Sequence, residues 1–410
     1  MKIRGVNFCR GCDSQKLSNV LSLGNLPIAN ELMKEVNSLV EEFPLELSIC
    51  RNCGLGQVGD VVSRGRLFND YRYLSSVSQS FLRHAEEFTI YVTELIQFDA
   101  GDWVLEIASN DGYLLKNFVS KGIDCLGIEP SENVSKIARS IGVPTQNTFF
   151  GASVAAELVR TKGYPKLVIA NNVLAHVPDI QDFLKGIEII TGPSTTVTVE
   201  NPSIMNIFCD LQFDSIYHEH YSYLSVTAVE NLLSKTNLKL FNAQKISTHG
   251  GSIRYWISRK NQSHGDLSIV TEIREEEKKS GIFEPENWLQ LQSTVTQIAT
   301  GFRKLLHDLS NENARVWGFG AAAKASTILN YSKIEKDLIR GIADSSPEKQ
   351  GWYMPSQGIP IDTPEKMYRD NPTHIIIFPW NIADELKLSI LRNLSDTTKI
   401  LKLIPSIQEV

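Results

Sequence analysis

The sequence predicts an α/β protein of two or three domains, on three observations. Short apolar runs of strand length alternate with helical segments in two series along the chain, the pattern of mostly parallel sheets whose strands are buried on both faces. A glycine-bearing turn follows the first strand of each series, at 106–112 and at 318–323. Two Cys-x-x-Cys pairs mark off a small lobe ahead of the first series.

A chain of 410 residues has room for two or three domains. Apolar residues at 42% and charged ones at 21% are ordinary for a soluble globular protein. A net charge of -6 with no Lys/Arg block argues against a nucleic-acid partner. The opening residues, MKIRGVNFCRGC, lack the apolar core of a signal peptide. No apolar run approaches the roughly 20 residues needed to span a bilayer, so no membrane association and a cytoplasmic location are expected. Six cysteines in a reducing compartment are not expected to form disulfides. The oligomeric state is open, with a monomer slightly favoured.

The elements follow in order. Cys9-Arg-Gly-Cys12 and Cys50-Arg-Asn-Cys53 each present two thiolates, and together they supply the four ligands of a structural zinc. The 37 residues between them exceed the usual zinc-ribbon spacing, so an insertion folds there. A bound metal would hold a lobe with too little core of its own. The alternative is two unrelated thiol pairs. Cys125 and Cys209 stand alone and read as packing. Residues 78–97, SQSFLRHAEEFTIYVTELIQ, carry apolar residues at helical spacing, led in by FNDYRYLSS. Strands are expected at 102–109, 124–130, 165–171, 195–201 and 252–260, then helices over about 268–311. A strand-helix-strand unit built on ARVWGFGAAAKAS, LIRGIADSS and HIIIFPW ends the chain. The expected domains are 1–65, 66–265 and 266–410.

The two turns differ in chemistry. Glu106-Ile-Ala-Ser-Asn110-Asp111-Gly112 keeps a single glycine and places polar, acidic residues where a dinucleotide site wants small ones. Such a turn suits S-adenosylmethionine (SAM), which has no phosphate and carries a sulfonium and an ammonium. Glu129 ends the next strand, where a carboxylate reaches both ribose hydroxyls. Asn171 and Asn172 end another strand at the same ligand-binding edge. An α/β turn that binds nothing is the alternative. Gly318-Phe-Gly320-Ala-Ala-Ala323 matches G-x-G-x-x-A between a strand and a helix, with Lys324 at the helix start and Asp344 closing the next strand. A pyrophosphate is expected here, as NAD or as the diphosphate of a nucleotide sugar. A turn whose glycines serve packing alone is the competing reading.

Residues 216–225, IYHEHYSYLS, hold two histidines around a glutamate, flanked by tyrosines. Acid/base work, a metal site and a polar structural turn all use such residues. A metal would want a third ligand that the local sequence does not supply. A methyl acceptor that is carbon has to lose a proton beside a carbonyl, which needs a base and a donor for the enolate oxygen. His249-Gly-Gly-Ser-Ile-Arg254 offers close backbone approach to a ligand and an arginine for a phosphate, or a plain hairpin turn.

Both CxxC knuckles, GNLPIANEL, YRYLSS, EIASNDGYLL, GIEPSENVS, NNVLAHVPD, ENP, FDSIYHEHYSYLS, HGGSIR and GFGAAAKAS occur in that order. In this the chain resembles, over essentially its whole length, the nucleotide-sugar C-methyltransferases that act on deoxyhexose-4-uloses. The resemblance implies an N-terminal zinc lobe, a central class I SAM methyltransferase sheet and a C-terminal Rossmann-like lobe. It implies a sugar nucleotide held between the last two, and a dTDP-linked 4-keto-6-deoxy sugar methylated at C3. The family's active-site residues fall on Tyr71, His176, Tyr217, Glu219 and His220. His220 is expected to take the C3 proton, with Tyr217 as partner or alternative base. His176 and Glu219 are expected to orient the sugar or stabilise the enolate oxygen. His176 read alone is also a candidate core histidine. Rival readings are an NAD-dependent sugar oxidoreductase, a non-catalytic binding module and an O-methyltransferase.

Overall fold

The computed structural model describes residues 4–5, 7–36, 38–68, 74–263, 268–394 and 397–410. The insertion between the knuckles is an antiparallel hairpin of β1 (Leu17–Pro27) and β2 (Glu42–Cys50). Phe43, Leu45, Leu47 and Ile49 alternate with exposed neighbours along β2, so one face of the hairpin is core. β3 (Gly56–Val58) pairs with β2 beside the second knuckle.

Helix α1 (Gln79–Leu95) starts where the Ser78 side chain accepts from Phe81 N–H. Phe81, Ala85, Phe88 and Val92 recur at three- and four-residue spacing and form its buried face. The strands that follow are β4 (Trp103–Ile107), β5 (Asp124–Ile128), β6 (Thr145–Gln146), β7 (Leu167–Asn171) and β8 (Thr196–Pro202). After β9 (Ser222–Tyr223), β10 (Leu238–Ile246) and β11 (Ser252–Arg259) complete the series. The central sheet runs β10-β11-β8-β7-β4-β5-β6. It is parallel except for β11, which is antiparallel to both neighbours. β4, β7 and β8 are almost wholly buried, which is why their sequences read as continuous apolar runs. β10 was not expected from the sequence. It is an edge strand with a bulge between Leu240 and Asn242, and its burial does not alternate regularly.

Helices α2 (Ser268–Ser280) and α3 (Pro285–Asn311) follow. Trp288, Leu291, Val295, Phe302 and Leu306 of α3 join one core with the zinc-lobe hairpin and the last lobe. That lobe is built on β12 (Val316–Phe319), helix α4 (Ala323–Tyr331), β13 (Ile342–Ala343), β14 (Ile361–Asp362), β15 (His374–Ile377), β16 (Lys399–Lys402) and β17 (Gln408–Glu409), ordered β14-β13-β12-β15-β16-β17. In both sheets the chain leaves its first strand to one side and returns on the other. The order therefore reverses between β4 and β7, and between β12 and β15, where α/β folds bind ligands at the carboxyl ends. No helix among the described residues is long and apolar enough to cross a membrane.

Candidate active site

A cavity of about 870 Å³ is lined by residues from both switch points and from the zinc lobe. On the central side, Ala108 and Asn110 follow β4 and Asn172 follows β7, all with positive φ (55°, 50° and 54°). His249, in the turn between β10 and β11, is a fourth wall residue of this kind, with φ 55°. Left-handed backbone at non-glycine residues costs on the order of 1–3 kcal/mol each and collects at functional sites. The Oδ1 atoms of Asn171 and Asn172 are buried without a hydrogen-bond partner. Both residues line the cavity, so acceptors stand ready for a cationic donor such as the SAM ammonium. Glu129 accepts from Asn110 N–H (3.0 Å) and Ser131 N–H (2.8 Å). Burial raises its pKa despite these bonds.

The 213–223 stretch is divided between two neighbours. Tyr217 and His220 face the cavity. His220 Nδ1 lies 3.0 Å from the Ser215 carbonyl, which only accepts, so Nδ1 carries the proton and Nε2 presents a lone pair. The Tyr217 hydroxyl donates to that lone pair at 2.8 Å. Burial and the nearby His176 keep the His220 pKa well below the ordinary 6.5. His176 also lines the cavity, its ring centroid 4.7 Å from that of His220. Its Nδ1–H donates to the Glu219 carbonyl at 2.7 Å, and burial lowers its pKa to about 4. His218 turns the other way, donating from Nε2 to the Phe43 and Pro44 carbonyls of β2 (3.2 Å each). His218 and His220 thus do not converge, and no metal cluster forms there among the described residues.

Several expected residues sit elsewhere. Glu219 does not line the cavity; its Oε1 accepts from both N–H and Nδ2 of Asn30 (3.1 Å each), and Asn30 does line it. Arg254 does not face the cavity, because its guanidinium donates to the buried Glu200 carboxylate at 2.9 Å and lies over the Phe88 ring. Glu106, Asp111 and Gly112 lie behind the wall. Glu106 is 1% exposed, Asp111 accepts from Ser76 N–H, and a Cβ on Gly112 would meet Val143 at 3.0 Å. A Cβ on Gly318 would meet Phe378 at 2.7 Å, so that glycine serves strand packing. Tyr71 lies outside the described residues.

In the last lobe Gly320 and Lys324 line the cavity. The amides of Gly320, Ala321 and Ala322 are engaged by the Ala343 carbonyl, the Asp344 carboxylate and the Gly320 carbonyl. These three amides are therefore not free to meet a pyrophosphate. Lys349 pairs with Asp344 and donates to the Ala321 carbonyl. Asn30, Lys349, Asp214 and Trp380 were not singled out, because their role depends on which lobes meet. The recurrence of GNLPIANEL among the family motifs was the one signal for Asn30.

Cys9, Cys12, Cys50 and Cys53 bring their sulfurs within 4.8 Å of one another, and Cys9–Cys53 and Cys12–Cys50 are each 3.5 Å apart. A tetrahedral zinc with bonds of about 2.3 Å sets its sulfurs roughly 3.8 Å apart, so the four thiolates fit it.

Family models match the chain in three consecutive segments. Residues 9–68 match a zinc-binding domain, 81–242 a methyltransferase domain and 247–405 the C-methyltransferase C-terminal domain. C-methyltransferase NovU of Streptomyces niveus is 30% identical over 94% of this chain and 92% of its own length. The chain belongs to the C-methyltransferase family. Among solved structures, a SAM-dependent methyltransferase from Anabaena variabilis is 12% identical, with a TM-score of 0.36, over 44% of this chain and 85% of that one. The magnesium protoporphyrin IX methyltransferase of Synechocystis, with bound SAM, is 13% identical, with a TM-score of 0.32, over 44% and 82%. Likenesses this weak carry no further weight. This C-methyltransferase is SAM-dependent, and its four cysteines form the zinc site of its N-terminal domain.

Proposed function

We propose that this C-methyltransferase methylates C3 of a dTDP-linked 4-keto-6-deoxy sugar after deprotonating C3 to an enolate. The observation that carries the reading is the Tyr217–His220 pair. It is a neutral, oriented base with its lone pair fixed by the Ser215 carbonyl, set in a cavity between two α/β switch points. An O-methyltransferase needs only to activate a hydroxyl. A carbon acid needs a base that is neutral at the working pH and held close to the carbon.

Tyr217 and His220 act as one unit. A proton taken from C3 ends on His220 Nε2, relayed by the Tyr217 hydroxyl, which already donates to that atom. His176 has its Nδ1–H bound to a carbonyl, so when neutral it offers only a lone pair at Nε2. It therefore orients the sugar by accepting a hydrogen bond and does not donate to the enolate oxygen. Asn110, Glu129, Asn171 and Asn172 hold the methyl donor at the β4/β7 edge. When bound, SAM supplies an electrophilic methyl group. The nucleotide of the sugar would sit against Gly320 and the first turn of α4. Incubation with dTDP-4-keto-6-deoxyglucose and SAM, followed by mass spectrometry and NMR, tests the assignment. A methyl on carbon is expected, and a methyl on oxygen would count against it.

A further inference from the structure

Lys324 is the second residue of α4, just after the Gly-rich turn, the usual place for a phosphate-binding lysine. Its surroundings belong to the acid/base centre. Nζ is buried, has no hydrogen-bond partner among the described residues, and lies 4.0 Å from the centroid of the Trp380 ring. Trp380 Nε1 donates to Asp214 Oδ2 at 2.7 Å. Asp214 immediately precedes Ser215, whose carbonyl orients His220. One helical turn beyond Lys324, the Thr327 hydroxyl donates to the Ile216 carbonyl at 3.4 Å. The cavity end of α4 is therefore seated on the very turn that sets the base. His220 and His249 both feel the Lys324 charge.

A buried ammonium with its three donors unused is costly unless something takes them up. The Trp380 ring face and Asp214 offset the charge only in part, since burial still lowers the Lys324 pKa, and neither takes up an Nζ–H in a hydrogen bond. Lys324 lines the cavity, so the missing acceptor comes from the substrate. We infer that Lys324 is a catalytic residue whose Nζ–H donates to the acceptor oxygen that becomes negative when C3 is deprotonated. The inference rests on the enolate reading above. In that step the C3–H bond breaks and its proton goes to His220 Nε2. The electron pair forms C3=C4, and the former C4 carbonyl pair moves onto oxygen, where Lys324 donates without losing its proton. The enolate carbon is then the nucleophile that takes the methyl group.

The test separates this role from phosphate binding. Lys324→Met and Lys324→Ala are compared with wild type for C3–H exchange in D2O with saturating dTDP-4-keto-6-deoxyglucose, and for affinity toward dTDP alone. SAM affinity and zinc content serve as checks on folding. Loss of one oxyanion donor typically lowers a rate by about 10²–10³. The expected result is an exchange rate down at least a hundredfold, dTDP affinity within threefold of wild type, and partial recovery of Lys324→Ala by added ethylammonium. Loss of dTDP affinity with exchange preserved at saturation would make Lys324 a phosphate ligand and overturn the inference. If wild type itself neither exchanges nor methylates, the enolate reading fails and this inference falls with it.

Discussion

As the proposed base, His220 has its tautomer set by one carbonyl. Ser215 takes the Nδ1 proton, and Tyr217 donates to the opposite nitrogen. Since burial lowers the His220 pKa below 6.5, the neutral form persists through neutrality. The C3 exchange rate should therefore hold level as pH falls to 6.5 and drop only as Nε2 becomes protonated below it; a drop centred above 6.5 would count against His220. Tyr217→Phe and His220→Ala should each lower exchange by about a hundredfold or more, the scale of a lost general base. Glu219 behaves differently. Glu219→Gln keeps an oxygen for Asn30 to donate to, so it should lose several-fold less kcat/KM than Glu219→Ala; equal losses would mean that the charge itself acts on the substrate. At this scale the sequence showed which residue types converge in YHEHY. It did not show that successive residues point to different neighbours, because that alternation is set by which lobe lies on each side.

The zinc lobe grips residues 218–223 along their length. His218 bonds to β2, Glu219 to Asn30, and the Tyr221 carbonyl accepts from Arg10 Nη2 (2.7 Å) and Val58 N–H (3.2 Å). β9 then pairs with β3 as the fourth strand of the lobe's sheet. Zinc binding is folding energy for such a lobe. Chelation should consequently abolish exchange and methylation while SAM affinity stays within about threefold; equal loss of both would mean that the whole chain depends on the metal. The CxxC pairs made the metal legible. The hairpin's contact with residues 217–223 was not, since strand pairing over that separation leaves no local pattern. The turn at 248–250 shows the same limit. HGG reads equally as hairpin or ligand loop, and it is a hairpin turn whose histidine lines the cavity. A Cβ on Gly250 (φ +86°) would run into the Trp380 ring. Gly250→Ala should push Trp380 off Asp214 and cost about tenfold in kcat/KM for the acceptor, with SAM affinity unchanged.

At the scale of the molecule, the two mostly parallel sheets were legible because their buried strands are continuous apolar runs punctuated by turns. Their facing carboxyl edges were not, since lobe docking depends on scattered core residues of α3 and the zinc hairpin. The same distance in sequence hid the Glu200 cluster, in which His84 of α1 and Arg254 of β11 hold one buried carboxylate of β8. Burial pushes the Glu200 pKa up, but the hydrogen bond from His84 and the Arg254 guanidinium outweigh it and hold it at about 2. An unfolded glutamate takes its proton near 4.5, so between that value and about 2 the unfolded chain binds more protons. The stability this carboxylate contributes is therefore present above pH 4.5 and lost as pH falls toward 2, at roughly 1.4 kcal/mol per unit. Arg254→Met, which leaves the buried charge underpaired, should lower unfolding free energy by about 3 kcal/mol by denaturant titration.

On the proposed reading, one cavity joins a methyl-donor edge to a nucleotide edge with an oriented base between them, and one measurement tests it directly. The protein is incubated in D2O with dTDP-4-keto-6-deoxyglucose, with and without SAM, and C3 is followed by NMR and mass. Exchange of the C3 proton without SAM, and one methyl on carbon with it, is the predicted result. SAM binding with neither exchange nor methyl gain, or methylation on oxygen without exchange, would contradict the account.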